Sequence, residues 1–167
     1  MPTAARVSLE EYLRNDYEPG CELVDGALLA KPMGTLEHMN MERRLVRLLE
    51  RYERSGLGQA VHELSIRNGD EVRIPDLVFV APGARFENGV LIDPPLLCIE
   101  ILSPSQRQSE LFAKCEAYHS WGAPYCWVID PGTKVAWEYH KDSAVRTAEA
   151  SGNLRAGEIS VAVADLF

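Results

Sequence analysis

Apolar residues recur along this chain with two periods, and the switches between them mark the elements. From about Thr35 to Arg54, Met41, Leu45, Leu48, Leu49 and Tyr52 recur at helical spacing and predict the longest helix, with one buried face. A shorter helix is predicted from Ser8, where Ser-x-x-Glu over residues 8–11 has the form of a capping box, and it ends before Pro19-Gly20. Residues 21–31 read as two short strands around Asp25-Gly26, a dipeptide suited to the positive φ angles of a tight hairpin. Gly56 and Gly58 stop the long helix, and 60–66 and 71–80 follow as strands joined by Asn68-Gly69-Asp70. Pro75 has no N–H for a ladder bond, so the second strand is expected to bulge or open there and to aim Asp76 out of the sheet. Residues 81–95, rich in proline and glycine, read as a long loop able to flank a site.

The second half repeats the pattern with more burial. Residues 96–102 form an apolar strand interrupted by Glu100, whose face carries Cys98 and Leu102, with Ile99 and Ile101 opposite. A helix is expected next, capped either at Ser103 or a little later at Ser109, with Leu111, Cys115 and Tyr118 as its buried stripe. Residues 125–129 make another apolar strand, turned at Asp130-Pro131-Gly132 into 134–140, and strand, helix, strand in that order predicts a parallel crossover. The tail from Ala144 to Phe167 carries two weaker strand patterns. The expectation is an α/β fold with a mixed β-sheet flanked by α-helices, and 167 residues suit one domain over 1–167.

Composition narrows the setting. No apolar run approaches the roughly 18 residues of a spanning helix, and residues 1–6 lack the apolar core of a leader peptide, so a cytoplasmic protein with no membrane partner is expected. The four cysteines lie in apolar or amphipathic runs without a Cys-x-x-Cys pair, and read as buried free thiols. The net charge of −8 counts against a general affinity for nucleic acid, which requires basic surface. Any such surface must be local. Arg43, Arg47, Arg51 and Arg54 share a face of the long helix, which is either a phosphate-facing stripe or a solvated face laced by ion pairs with Glu42, Glu50 and Glu53.

The chemistry centres on two acids inside apolar strands. A carboxylate is costly to bury unless it is paired, protonated or bound to a metal, so Asp76 and Glu100 on consecutive strands form one candidate site. Hard cations such as Mg²⁺ or Mn²⁺ are held by one or two carboxylates with water and substrate phosphate, and these two acids supply that minimum. Ordinary ion pairs or caps are the alternative. No Gly-x-Ser-x-Gly elbow or Gly-rich phosphate loop occurs, and Cys115 with His119 lacks a third, orienting group.

The order Glu-Leu-Val-Asp-Gly (22–26), Arg-Ile-Pro-Asp (73–76), Ile-Glu-Ile-Leu-Ser-Pro-Ser (99–105), Lys-x-x-x-Tyr (114–118) and Tyr-Cys-Trp-Val-Ile-Asp-Pro (125–131) resembles the Uma-two family of the PD-(D/E)XK nuclease superfamily. The resemblance implies a restriction-endonuclease-like domain and metal-dependent hydrolysis of DNA phosphodiesters. It implies Asp76 and Glu100 as metal ligands, Glu22 near the metal, and Lys114 as the cation that serves the attacking water. His38 also matches a position often occupied by histidine in the family. One departure is clear: the superfamily lysine two residues after the second acid is Leu102 here. Against these roles stand an exposed hairpin acid for Glu22, an exposed helix charge for Lys114, and a structural or exposed His38. The alternative function is a non-catalytic nucleic-acid or protein-binding module that keeps the fold, or a purely structural domain. The sequence leaves open whether the chain acts as a monomer or a homodimer.

Overall fold

The computed structural model describes residues 6–142 and 144–167. Most of the stretch read for a leader peptide, residues 1–5, lies outside the described residues. Helix α1 (Leu9–Arg14) starts at Ser8, whose hydroxyl accepts the Glu11 N–H at 3.1 Å. Strands β1 (Cys21–Val24) and β2 (Ala27–Ala30) pair antiparallel across Asp25 and Gly26, with φ of 50° and 74°. Helix α2 (Leu36–Arg54) starts at Thr35, which accepts the His38 N–H at 3.2 Å, and buries Met41, Leu45 and Leu49. Burying each such leucine contributes about 1.5–3 kcal/mol relative to exposure.

The next hairpin departs from expectation. Each of its two long strands breaks in the middle, giving β3 (Gln59–His62), β4 (Ile66–Asn68), β5 (Glu71–Arg73) and β6 (Leu77–Val80). The tip, β4 with β5, joins one sheet, and the base, β3 with β6, joins another. Pro75 supplies no N–H at the break, and the freed Ile74 N–H turns to the Glu22 carboxylate at 2.9 Å. The stretch read as a long loop over 81–95 is instead partly folded. It forms β7 (Phe86–Glu87) and β8 (Val90–Leu91) around Asn88-Gly89, and β8 pairs parallel with β4. Val90 and Leu91 are buried, which gives the segment a reason to dock, and none of its residues lines the cleft described below.

Strand β9 (Leu97–Ile101), helix α3 (Gln108–Ser120) and strand β10 (Tyr125–Asp130) form the expected parallel crossover. The helix starts at neither expected serine; Glu110 reaches back to the Arg107 N–H at 3.3 Å instead. Strand β11 (Val135–Tyr139) follows, and the tail holds three strands rather than two: β12 (Val145–Thr147), β13 (Asn153–Ala156) and β14 (Ile159–Ala162). One sheet runs β2-β1-β5-β4-β8-β7, the other β12-β11-β10-β9-β6-β3, and β13 and β14 pair with each other.

The period of two divides the second sheet cleanly. Leu77, Phe79, Ile99, Ile101, Trp127 and Ile129 face α2 and the β13–β14 hairpin. Val78, Cys98, Cys126 and Val128 face Leu111, Cys115 and Tyr118 of α3. The first sheet packs α1 through Tyr12, Leu23, Val72 and Val90. The architecture is mixed α/β, with mixed sheets and helices on both faces of the second. Cys98, Cys115 and Cys126 are buried free thiols, as read from sequence, while Cys21 is half-buried.

Candidate active site

The break at Pro75 sits where β6 meets β9. Their register pairs Leu77 with Ile99, and one further step sets Asp76 opposite Glu100, so two acids distant in sequence become cross-strand neighbours. Asp76 is only 4% exposed. Its Oδ2 accepts the Ile101 N–H at 2.7 Å, a donor that the interrupted β6 leaves to it. Its Oδ1 lies 3.0 Å from Lys31 Nζ and 3.4 Å from His38 Nε2.

Glu100, 2% exposed, points to the α3 side of the sheet. Its Oε1 accepts the Tyr118 hydroxyl at 2.5 Å and stands 3.1 Å from Lys114 Nζ. Lys114 also meets Glu22 Oε1 at 2.9 Å, and the same oxygen takes the Ile74 N–H. Lys114 and Tyr118 reach one acid because they are four apart on α3 and so share a face. Glu22 and Lys114 are thus buried partners, where sequence alone left an exposed hairpin acid and an exposed helix charge open.

Two side chains that sequence reasoning passed over complete the group. Lys31, just after β2, carries no local signal that separates it from a surface lysine. Glu42 is one helical turn after His38, and that spacing was legible; its Oε1 lies 3.5 Å from His38 Nε2. His38 Nδ1 is 3.3 Å from the buried Ser103 hydroxyl. Lys31, His38, Glu42, Asp76, Glu100, Ser103 and Lys114 all line one cleft of about 310 Å³.

The charges hold one another. Burial works to raise the Asp76 pKa, but His38, Lys31 and the Ile101 N–H overcome it and keep the carboxyl well below the usual range. Burial works to lower His38, yet Asp76 and Glu42 push it up to about 9. Lys31 and Lys114 are raised despite burial, by Asp76 and by the Glu100–Glu22 pair respectively. Burial pushes Glu100 up to about 7, against Lys114 and with the Asp76 and Glu22 charges adding to it.

A divalent cation fits the donors of this cleft. His38, Glu42 and Asp76 each bring one ligand atom within 4.8 Å of the others, and Glu42 Oε1 is buried without a hydrogen-bond partner. Carboxylate oxygens with one imidazole suit Mn²⁺, and the carboxylates alone suit Mg²⁺.

The arginine face is not uniform. Arg43 and Arg47 are exposed and make no ion pair among the described residues. Arg51 is engaged at home, donating to the Ser160 carbonyl at 2.5 Å and the Tyr52 hydroxyl at 2.6 Å. Leu102 packs with the α3-side core, so the usual lysine position carries no charge into the cleft. His119 has both ring nitrogens on carbonyls, Ala123 O at 2.8 Å and Tyr139 O at 2.6 Å, which leaves none to activate Cys115.

A family model with the description "Putative restriction endonuclease", Uma2, matches residues 9–163. The chain belongs to the Uma2 (Uma-two) family. A crystal structure from Anabaena variabilis ATCC 29413, described as "a putative nuclease belonging to DUF820", is 25% identical, with a TM-score of 0.86 over 96% of this chain and 97% of that one. No curated protein matches the chain. Glu100, Lys114 and Tyr118 thus meet in one group beside Asp76, in a chain of nuclease-like fold and family.

Proposed function

We propose that this protein is an endonuclease that hydrolyses DNA phosphodiester bonds with Mg²⁺ or Mn²⁺. The observation that carries the reading is the convergence of Asp76, Glu100 and Lys114 in one cleft of a Uma2 chain. Asp76 and Glu100, with Glu42 and His38 adjoining, would hold the cation. Such an ion lowers the pKa of a water and stabilises charge on a scissile phosphate. Lys114 offsets the charge of Glu22 and Glu100 and supplies the positive field that Leu102 lacks, so a phosphate can approach a cleft lined by acids. Tyr118 holds Glu100 in place through its hydroxyl. With DNA as substrate, the expected compartment is the cytoplasm.

A second reading is supported by the ion pairs themselves. Lys31 neutralises Asp76 and Lys114 neutralises Glu22 and Glu100, so the acids are satisfied by protein groups alone, as in a binding module that keeps the fold. Nicking of supercoiled plasmid in Mg²⁺ or Mn²⁺ separates the two. The endonuclease reading expects cleavage by wild type and a loss of a hundredfold or more in Asp76→Asn. A wild type that binds DNA but never cleaves with either ion overturns it in favour of the binding module.

A further inference from the structure

Six large apolar side chains are exposed among the described residues, and four of them, Leu29, Met33, Leu36 and Met39, fall within eleven positions of one another. Met33 is 86% exposed, Leu36 76% and Met39 54%. Core packing does not account for them, since α2 buries Met41, Leu45 and Leu49 on another face. Their place does. Met33 and Leu36 lie between Lys31 and His38, which both contact Asp76; Leu29 and Met39 flank that segment, and Met39 lines the cleft with Pro32 and Gly34. A side chain at Gly34 would meet Met39 Cγ at 3.7 Å, so this segment folds back against the start of the helix.

The helix continues the surface in register. Residues 36, 39, 43 and 47 share one face by the helical period, so Met39 at the cleft, with Leu36 one turn before it, is followed by Arg43 and Arg47, both exposed and unpaired among the described residues. Arg43 and Arg47 are a turn apart, roughly 6 Å along the axis, which suits successive phosphates of one strand. Apolar groups at the mouth and cations beyond it match the two faces of a nucleotide strand. Leu and Met are among the side chains that proteins insert between base steps, partially unstacking them. A protein partner seated on Met39 would cover the entrance to Asp76, which disfavours a second copy as the occupant.

We propose that Met33, Leu36 and Met39 form an apolar wedge that receives unstacked bases, making single-stranded or locally opened nucleic acid the substrate class of the Asp76 cleft. The proposal rests on the nuclease reading. An intact duplex offers phosphates to Arg43 and Arg47, but its bases reach the wedge only once a step is unstacked, a cost that a single strand or a bubble is spared.

The test is fluorescence anisotropy in EDTA with a labelled single strand, the same sequence as a blunt duplex, and that duplex with a central mismatch bubble. Wild type is expected to bind the single strand and the bubble at least tenfold more tightly than the blunt duplex. Met33→Ser with Leu36→Ser, two exposed positions at which folding is retained, should erase that preference while duplex binding stays. Equal affinity of wild type for all three forms, or an undiminished preference in the double variant, overturns the wedge and leaves the nuclease reading standing. A wild-type dimer in sedimentation that becomes monomeric in the double variant overturns it in favour of a second copy. No binding to any of the three forms also overturns the wedge, while the nuclease reading is decided separately by plasmid nicking in Mg²⁺ or Mn²⁺.

Discussion

Lys114→Ala leaves two buried carboxylates without their cation. Lys114 Nζ stands 2.9 Å from Glu22 and 3.1 Å from Glu100, whose side chains are 5% and 2% exposed. Only the Ile74 N–H would still serve the Glu22 oxygen, and only the Tyr118 hydroxyl the Glu100 oxygen. Breaking a buried pair by removing one partner costs about 3–5 kcal/mol, because the remaining charge has neither water nor a counter-ion. For a chain of this size each kcal/mol moves the melting temperature by about 2–4 °C, so a drop of about 6–20 °C is expected above pH 7, where Glu100 is ionised in wild type. The loss should shrink as pH falls. Burial pushes the Glu100 pKa up to about 7 with Lys114 present, above its ordinary 4.5, and removing that cation pushes it higher still. The difference from wild type therefore narrows as pH falls from alkaline values toward about 7, below which the carboxyl is neutral in both folded proteins and needs no cation. Glu100→Gln in the Lys114→Ala background should recover part of the loss, a non-additivity that a double-mutant cycle measures by calorimetry. A Lys114→Ala protein that melts with wild type above pH 7 would refute the ion-pair argument and return Lys114 to an ordinary helix charge.

Two further outcomes follow from packing and linkage. A side chain at Gly58 would place its first carbon 2.2 Å from the Val80 carbonyl oxygen and 2.7 Å from the Phe79 ring, so Gly58→Ala should cost at least about 1–3 kcal/mol in urea denaturation; an unchanged midpoint would refute the close approach. Tyr12 donates to the Cys21 carbonyl at 2.6 Å, and burial, with Cys21 and Glu22 nearby, raises its pKa from 10.0 to about 12. The stabilisation is full below pH 10 and lost as pH rises through about 12, so the Tyr12 phenol should ionise late by ultraviolet absorbance, alongside Tyr118, which burial and Glu100 also push up, and Tyr12→Phe should remove one of the late components.

Much of this protein was legible because its signals are local. Thr35 and Ser8 cap their helices through atoms three residues away, Asp25-Gly26 turns a hairpin by its own φ angles, and the nearly continuous apolar run along 96–102 reports burial on both faces of β9. Asp76 and Glu100 stood out for the same reason, as charges inside apolar runs whose burial needs partners. What tertiary structure decided is who those partners are. Lys31 comes to Asp76 across 45 residues and Lys114 to Glu22 across 92; nothing near Lys31 distinguishes it from a lysine facing water, and Lys114 stood out only through its Lys-x-x-x-Tyr motif, which does not say which acids it meets. The split of the long hairpin between two sheets was equally hidden, because Pro75 announces a break but not that the freed Ile74 N–H turns to Glu22 or that the Ile101 N–H goes to Asp76. Secondary structure follows contacts a few residues apart, which a sequence displays directly; a buried charge is matched by whichever opposite charge the fold brings near, and that choice exists only once the sheets have met.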